Sequence, residues 1–217
     1  MAEYFLVHDA AAFEGEVRPA LAAAWRRRSF EPCRPLCARL APAARSYAER
    51  YHTGPEEFVL ERVAGDLPFD RTIWRTVAGE VLLFAALDIP EFPSNADTLC
   101  CLLAPEHYRN GVTGREQLAP IQQVFRGSRD LTFGPAVYRP EYAGYNNQGD
   151  VARLAGYLAG IDPASWTAAG LEGLREVTDE EDRADELLFA REWFPVLRDL
   201  YLRARDRGHV LVLESIY

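Results

Sequence analysis

Apolar residues recur along this chain at two spacings, one helical and one alternating. From Ala11 to Arg28, Phe13, Val17, Leu21 and Trp25 stand four apart, which predicts a helix. A second helical stripe, Leu36, Leu40, Ala44, Tyr47 and Tyr51, follows, with Pro19 and Pro42 each set to start or kink a helix. Between Thr72 and Leu87, the positions Trp74, Val77, Ala78, Val81 and Ala85 share one side of a 3.6-residue helix and predict a core element. A short apolar helix is expected around Leu99 to Leu103. Thr113 and Glu116, at capping-box spacing, precede a face of Leu118, Ile121, Val124 and Phe125.

The C-terminal third is the most regular. Asp150 is placed to cap a helix through Val151, Leu154, Ala155 and Leu158, and Asp162 followed by Pro163 signals another start. Thr178 and Glu181 open a long helix whose stripe reads Phe189, Trp193, Val196, Leu197, Leu200 and Ala204, kinked at Pro195 and ended by Gly208. Strand patterns are fewer. Tyr4 to Val7 is of strand length, Glu57 to Val63 (EFVLERV) reads as a strand, and Leu131 to Tyr138 reads as one interrupted by Gly134 and Pro135. Val210 to Leu213 is apolar on both alternating faces, as in the interior of a sheet. The pattern predicts an α/β fold over residues 1–217: a single-domain sandwich with a central mixed sheet, strands near both termini, flanked by helices.

Composition narrows the function. A length of 217 residues with 48% apolar content supports one real core, and a net charge of −9 spread along the chain repels a phosphate backbone, so nucleic acid is not an expected partner. The longest apolar run, Val81 to Leu87, is far short of the roughly 20 residues of a membrane span. With no basic stretch ahead of the first apolar segment, the start of the chain does not read as a secretory signal, and a cytoplasmic location is expected. All 24 basic residues are arginine, which excludes Schiff-base and P-loop chemistry, since both need a lysine amine. Cys33 and Cys37, and the adjacent Cys100 and Cys101, read as buried free thiols rather than zinc ligands, because neighbouring cysteines point to different helix faces. No metal or other cofactor is called for.

The succession GPAVYRP, then VARLAGYLAGID, then a long helix with an acidic start, then RDRGHVLVLESIY, resembles the YfbM-like family of bacterial proteins of unknown function, over roughly residues 131 to 217. The N-terminal strand and WRTVAGEVLLF, where family members carry a tryptophan-bearing helix, echo it. The resemblance implies an α/β sandwich with strands near both termini and brings no catalytic residues.

Four groups of residues offer chemistry. His8 and Asp9 after the first strand, with Glu214 after the last, meet at one rim if those strands lie parallel and close, and a histidine beside carboxylates can act as a general base. Glu80, on the flank of the core helix, either is a functional carboxylate of raised pKa or pairs with an arginine such as Arg75. His107 and Arg109 share a polar turn with Glu106 and Asn110. The stretch YRPEYAGYNNQGD holds Tyr138, Tyr142, Tyr145 and Asn146; its tyrosines form either a contact surface or the buried lead-in to a helix. No nucleophile, base and orienting group can be assembled from motif spacing. The expected function is therefore a non-catalytic binding or interaction protein, regulatory in kind, with a protein partner or a small molecule as ligand. The alternative is a small-molecule enzyme whose site is assembled from His8, Asp9, Glu80 and Glu214.

Overall fold

The computed structural model describes residues 2–52, 58–65, 67–93, 96–111, 114–139, 143–175 and 177–216. Strand β1 (Ala2–Asp9) runs into α1 (Ala10–Ala12), a π-helical turn (Phe13–Val17) and α2 (Arg18–Arg27). Next come α3 (Arg34–Tyr51), α4 (Val59–Val63), α5 (Arg71–Ala85) and β2 (Glu91–Pro93). The middle holds α6 (Ala96–Leu103), α7 (Pro105–Asn110), α8 (Pro120–Arg126) and the short strands β3 (Arg129–Asp130), β4 (Thr132–Phe133), β5 (Ala136–Val137) and β6 (Ala143–Asn146). The chain closes with α9 (Gln148–Ala159), α10 (Glu180–Asp206) and β7 (His209–Ile216). The class is α/β, as the hydrophobic pattern predicts.

The chain divides into two compact units. One, Leu6–Ile89 with Leu131–Pro140, is helical. Its core gathers around Trp74, whose ring meets Trp25 at 4.9 Å and Phe133 at 5.8 Å, with Leu21, Val63, Val77 and Val81 buried beside it. The β4–β5 hairpin bends at Gly134 (φ 65°), so Leu131 to Tyr138 is a hairpin rather than one interrupted strand. Glu57 to Val63 departs from its expected strand. Val59–Val63 is helical, because the Val59 and Leu60 N–H groups donate to the Glu80 carboxylate of α5 at 2.8 and 2.7 Å, which caps a short helix that buries Val59, Leu60 and Val63. Glu57 itself lies outside the described residues.

The second unit, Met1–Phe5 with Pro90–Asp130 and Glu141–Tyr217, holds the sheet, in the order β2-β1-β7-β6-β3. The pairings β1–β2, β3–β6 and β6–β7 are antiparallel. Val210 to Leu213 on β7 are all buried, as their two-faced apolar pattern requires, with α8, α9 and α10 packed on the strand. The helix starts differ in detail from their sequence signals. Asn147, not Asp150, is the N-cap of α9: it accepts from the Asp150 N–H at 3.0 Å, and the Asp150 carboxylate accepts in return from the Asn147 N–H at 3.3 Å. Asp179 rather than Thr178 caps α10. Asp162 caps only a short 3₁₀ turn, Pro163–Ser165, and Thr113 lies outside the described residues.

Where β6 meets α9, a polar network replaces apolar packing. The fully buried Asn146 amide donates to the Gln123 carbonyl and to the Tyr201 hydroxyl, both at 3.0 Å, and its oxygen accepts from the Ser128 N–H at 2.8 Å and hydroxyl at 2.7 Å. Tyr201 in turn donates to the Val124 carbonyl at 2.7 Å. Gly127 (φ 78°) allows this approach, since a Cβ there would stand 2.4 Å from the Tyr145 nitrogen. Tyr201→Phe removes one donor and one acceptor from a closed network. It is expected to cost about 1–3 kcal/mol in urea unfolding, with the same secondary structure by circular dichroism; a change below about 0.5 kcal/mol shows that the network does not bear on stability.

Candidate interaction surface

The residues singled out from sequence are largely occupied with holding the fold. His8 is buried, with its ring 5.2 Å from that of Phe13. Burial pushes its pKa down to about 4, against a smaller opposing effect of the backbone at Ala85. Its Nε2 has no hydrogen-bond partner, so no carboxylate engages it there. Asp9 is exposed and accepts from the Ala12 N–H at 2.8 Å, capping α1. Glu214 is half-buried on β7, paired in register with Ala143. His8 and Asp9 therefore do not form the base–carboxylate pair that the rim hypothesis requires of them.

Glu80 does have a raised pKa, through burial first, with the Val59 and Leu60 N–H groups and then Arg62 working against it. Both of its oxygens accept backbone hydrogen bonds at the start of α4, so it is a helix cap. The Arg75 Nε is buried without a hydrogen-bond partner, so it does not pair with Glu80. His107 and Arg109 are exposed on α7. The tyrosine stretch needs correction as a contact surface. Tyr138 is 1% exposed and Tyr145 is 7% exposed, Asn146 belongs to the buried network, and Tyr142 lies outside the described residues. For Tyr145 and Asn146 the reason is β6, Ala143–Asn146, a strand between β7 and β3, whereas Tyr138 follows β5 and packs its ring 6.2 Å from that of Phe133.

Among the described residues, no group of His, Cys, Asp and Glu is arranged to hold a metal ion, and no helix is long and apolar enough to cross a membrane. All four cysteines are free and buried. The Cys33 and Cys37 thiols are both pushed up to about 12, by burial first, then by their mutual proximity at Cys33 and by Glu80 at Cys37.

The surface with unexplained chemistry is on α10, a helix of 27 residues. Its N-cap, Asp179, accepts from the Asp182 N–H at 2.8 Å, and Glu180, Glu181 and Asp182 complement the positive end of the helix dipole. Leu187, Ala190, Phe194, Leu197, Leu200, Tyr201 and Ala204 face the core. The stripe read from sequence is thus rotated from the true one. Leu197, Leu200 and Ala204 are buried, whereas Phe189 and Trp193 are only half-buried and Val196 is 43% exposed. Leu188 is 62% exposed.

Two turns of helix take about seven residues, so positions seven apart stay on one side. Leu188, Pro195 and Leu202 form one such row, and Phe189 and Val196 form another, about 100° around the helix. Asp185, Glu192 and Asp199 form a third row, between these two; all three are exposed, and none makes an ion pair or hydrogen bond with a described residue. The dipole accounts only for the first turn, so these three carboxylates need another explanation. An open groove of roughly 500 Å³ lies at the N-terminal end of this face, lined by Val177, Asp182, Asp185, Glu186 and Phe189. Glu186 is already engaged, accepting from the Thr98 hydroxyl at 2.5 Å. The sequence pattern places Phe189, Trp193 and Val196 in the core stripe, and the seven-residue acidic period is the signal in the sequence that marks the outward side.

His8 makes stability depend on pH. Its pKa falls from 6.5 in the unfolded chain to about 4, so its contribution is complete above pH 6.5 and is lost as the pH falls toward 4. The difference between wild type and His8→Asn should change by about 3 kcal/mol across that window in urea titrations; a pH-independent difference refutes the assignment. Burial should leave all four cysteines unreactive toward DTNB at neutral pH until denaturant is added; rapid modification of the native protein would show an accessible thiolate. In comparisons with known proteins, no family model, curated protein or solved structure matches this chain.

Proposed function

We propose that this chain is a non-catalytic interaction protein whose contact surface is the outward side of α10. The observation behind this reading is the combination, on one helix face, of exposed Leu188 and Val196, half-buried Phe189 and Trp193, and an unpaired acidic row. Scattered exposed apolar residues, such as Tyr51 and Leu87, are ordinary on protein surfaces. Leu188 and Val196 differ, because they lie on the same face, one helical turn either side of Glu192, with Phe189 and Trp193 beside Val196, and interfaces are enriched in aromatic anchors. The enzyme alternative has less support, since the Asp9 and Glu80 carboxylates it needs already cap helices and His8 is buried at low basicity. The resemblance to the YfbM-like family adds no catalytic residue to either reading.

A surface used for contact is dispensable for folding. Leu188→Asp combined with Val196→Asp should therefore leave the unfolding free energy within about 1 kcal/mol of wild type, as for exposed substitutions. A photo-crosslinking amino acid at position 188 should give a discrete adduct in cells that express the protein. That adduct should be absent when the probe replaces Tyr51, and absent when Val196→Asp accompanies the probe. Marked loss of stability, or no adduct specific to position 188, would overturn the proposal.

A further inference from the structure

Resting on that reading, we propose that the partner of α10 is a basic amphipathic helix, an arginine- or lysine-bearing segment with apolar residues at heptad spacing. Geometry points to a helix: the apolar rows Leu188, Pro195, Leu202 and Phe189, Val196 repeat every seven residues, the period that keeps one helix facing another over several turns. Charge sets the sign of the partner. Asp185, Glu192 and Asp199 run between the two apolar rows at the same period, and no described basic group pairs with them. Charges along a helix face choose the partner in helix pairing, so these favour cationic side chains between the partner's apolar residues and reject acidic ones.

A second copy of this chain fits less well. If two α10 helices pair antiparallel about Glu192, Leu188 of one faces Val196 of the other, which is favourable. The same register sets Asp185 against Asp199 and Glu192 against Glu192, and on the outward face only Glu181 against Arg203 compensates. Like charges opposed across a seam are destabilising. The net charge of −9 adds to the repulsion between copies.

The test uses two fluorescein-labelled synthetic peptides of about 21 residues, the three heptads needed to span the seam, one built from leucine and lysine and the other from leucine and glutamate in the same pattern. Fluorescence anisotropy with the whole protein should show saturable binding of the leucine–lysine peptide that weakens with salt, and none of the leucine–glutamate peptide. Asp185→Arg combined with Glu192→Arg should weaken the first by at least about tenfold and admit the second. Leu188→Asp combined with Val196→Asp should also weaken the leucine–lysine peptide, which separates docking on the seam from non-specific charge attraction. Equal binding of both peptides, or insensitivity to either pair of substitutions, overturns the basic-helix assignment. Sedimentation showing a dimer that Leu188→Asp dissolves assigns the face to a second copy and overturns it as well. If the position-188 adduct forms while neither peptide binds, only the partner class fails; if the adduct is also absent, the interaction reading fails with it.

Discussion

The start of a helix leaves backbone N–H groups without partners, and this chain meets that need with its acidic and amide side chains. Asp9, Asp70, Asp162 and Asp179 each accept a backbone N–H at the beginning of a helical segment, and Asn147 does so within a capping box. Glu80 does it from a distance, reaching from α5 to the start of α4. Much follows from this. Carboxylates that look available for catalysis along the sequence are already accepting hydrogen bonds, and a segment patterned like a strand becomes helical because a remote glutamate supplies its cap.

Buried polar groups obey the same demand in the sheet-bearing unit. Asn146 uses its oxygen and its amide together, and Tyr201, whose hydroxyl accepts from Asn146 and donates to Val124, is held protonated by burial. A network satisfied this fully fixes one arrangement of α8, β6 and α10, because displacing any member strands the others in a medium where an unpaired polar atom is costly. His8, in the helical unit, is the counterexample. Its Nε2 lacks a partner, and burial depresses its basicity to about 4. The cost of burying charge there falls on the protonated form and not on the neutral ring.

On α10 two requirements share one helix. Its inner side, from Leu187 to Ala204, builds the core, while its outer side combines apolar bulk with unneutralised carboxylates. A purely structural helix has reason to place charge outside and none to place Leu188 there as well. The coincidence of exposed apolar area and periodic acid on one face is what separates this surface from the rest of the described exterior.

The sequence by itself determined the α/β class, most helix positions, the two-sided burial of Val210 to Leu213 and the burial of the cysteines. These depend on local periodicity and on the transfer of apolar area from water, which neighbouring residues suffice to express. It also marked YRPEYAGYNNQGD as worth explaining, but tertiary structure decided the explanation: Tyr138 and Tyr145 are buried, and Asn146 is the centre of a network whose partners Gln123, Ser128 and Tyr201 are distant in sequence. The same holds for Glu80, whose role depends on Val59 and Leu60 arriving at its carboxylate. It holds again for α10, where a rotation of the buried stripe away from Phe189, Trp193 and Val196 turned expected core residues into surface. Periodicity shows that a helix has an apolar side; only packing against particular neighbours decides which part of that side stays in water.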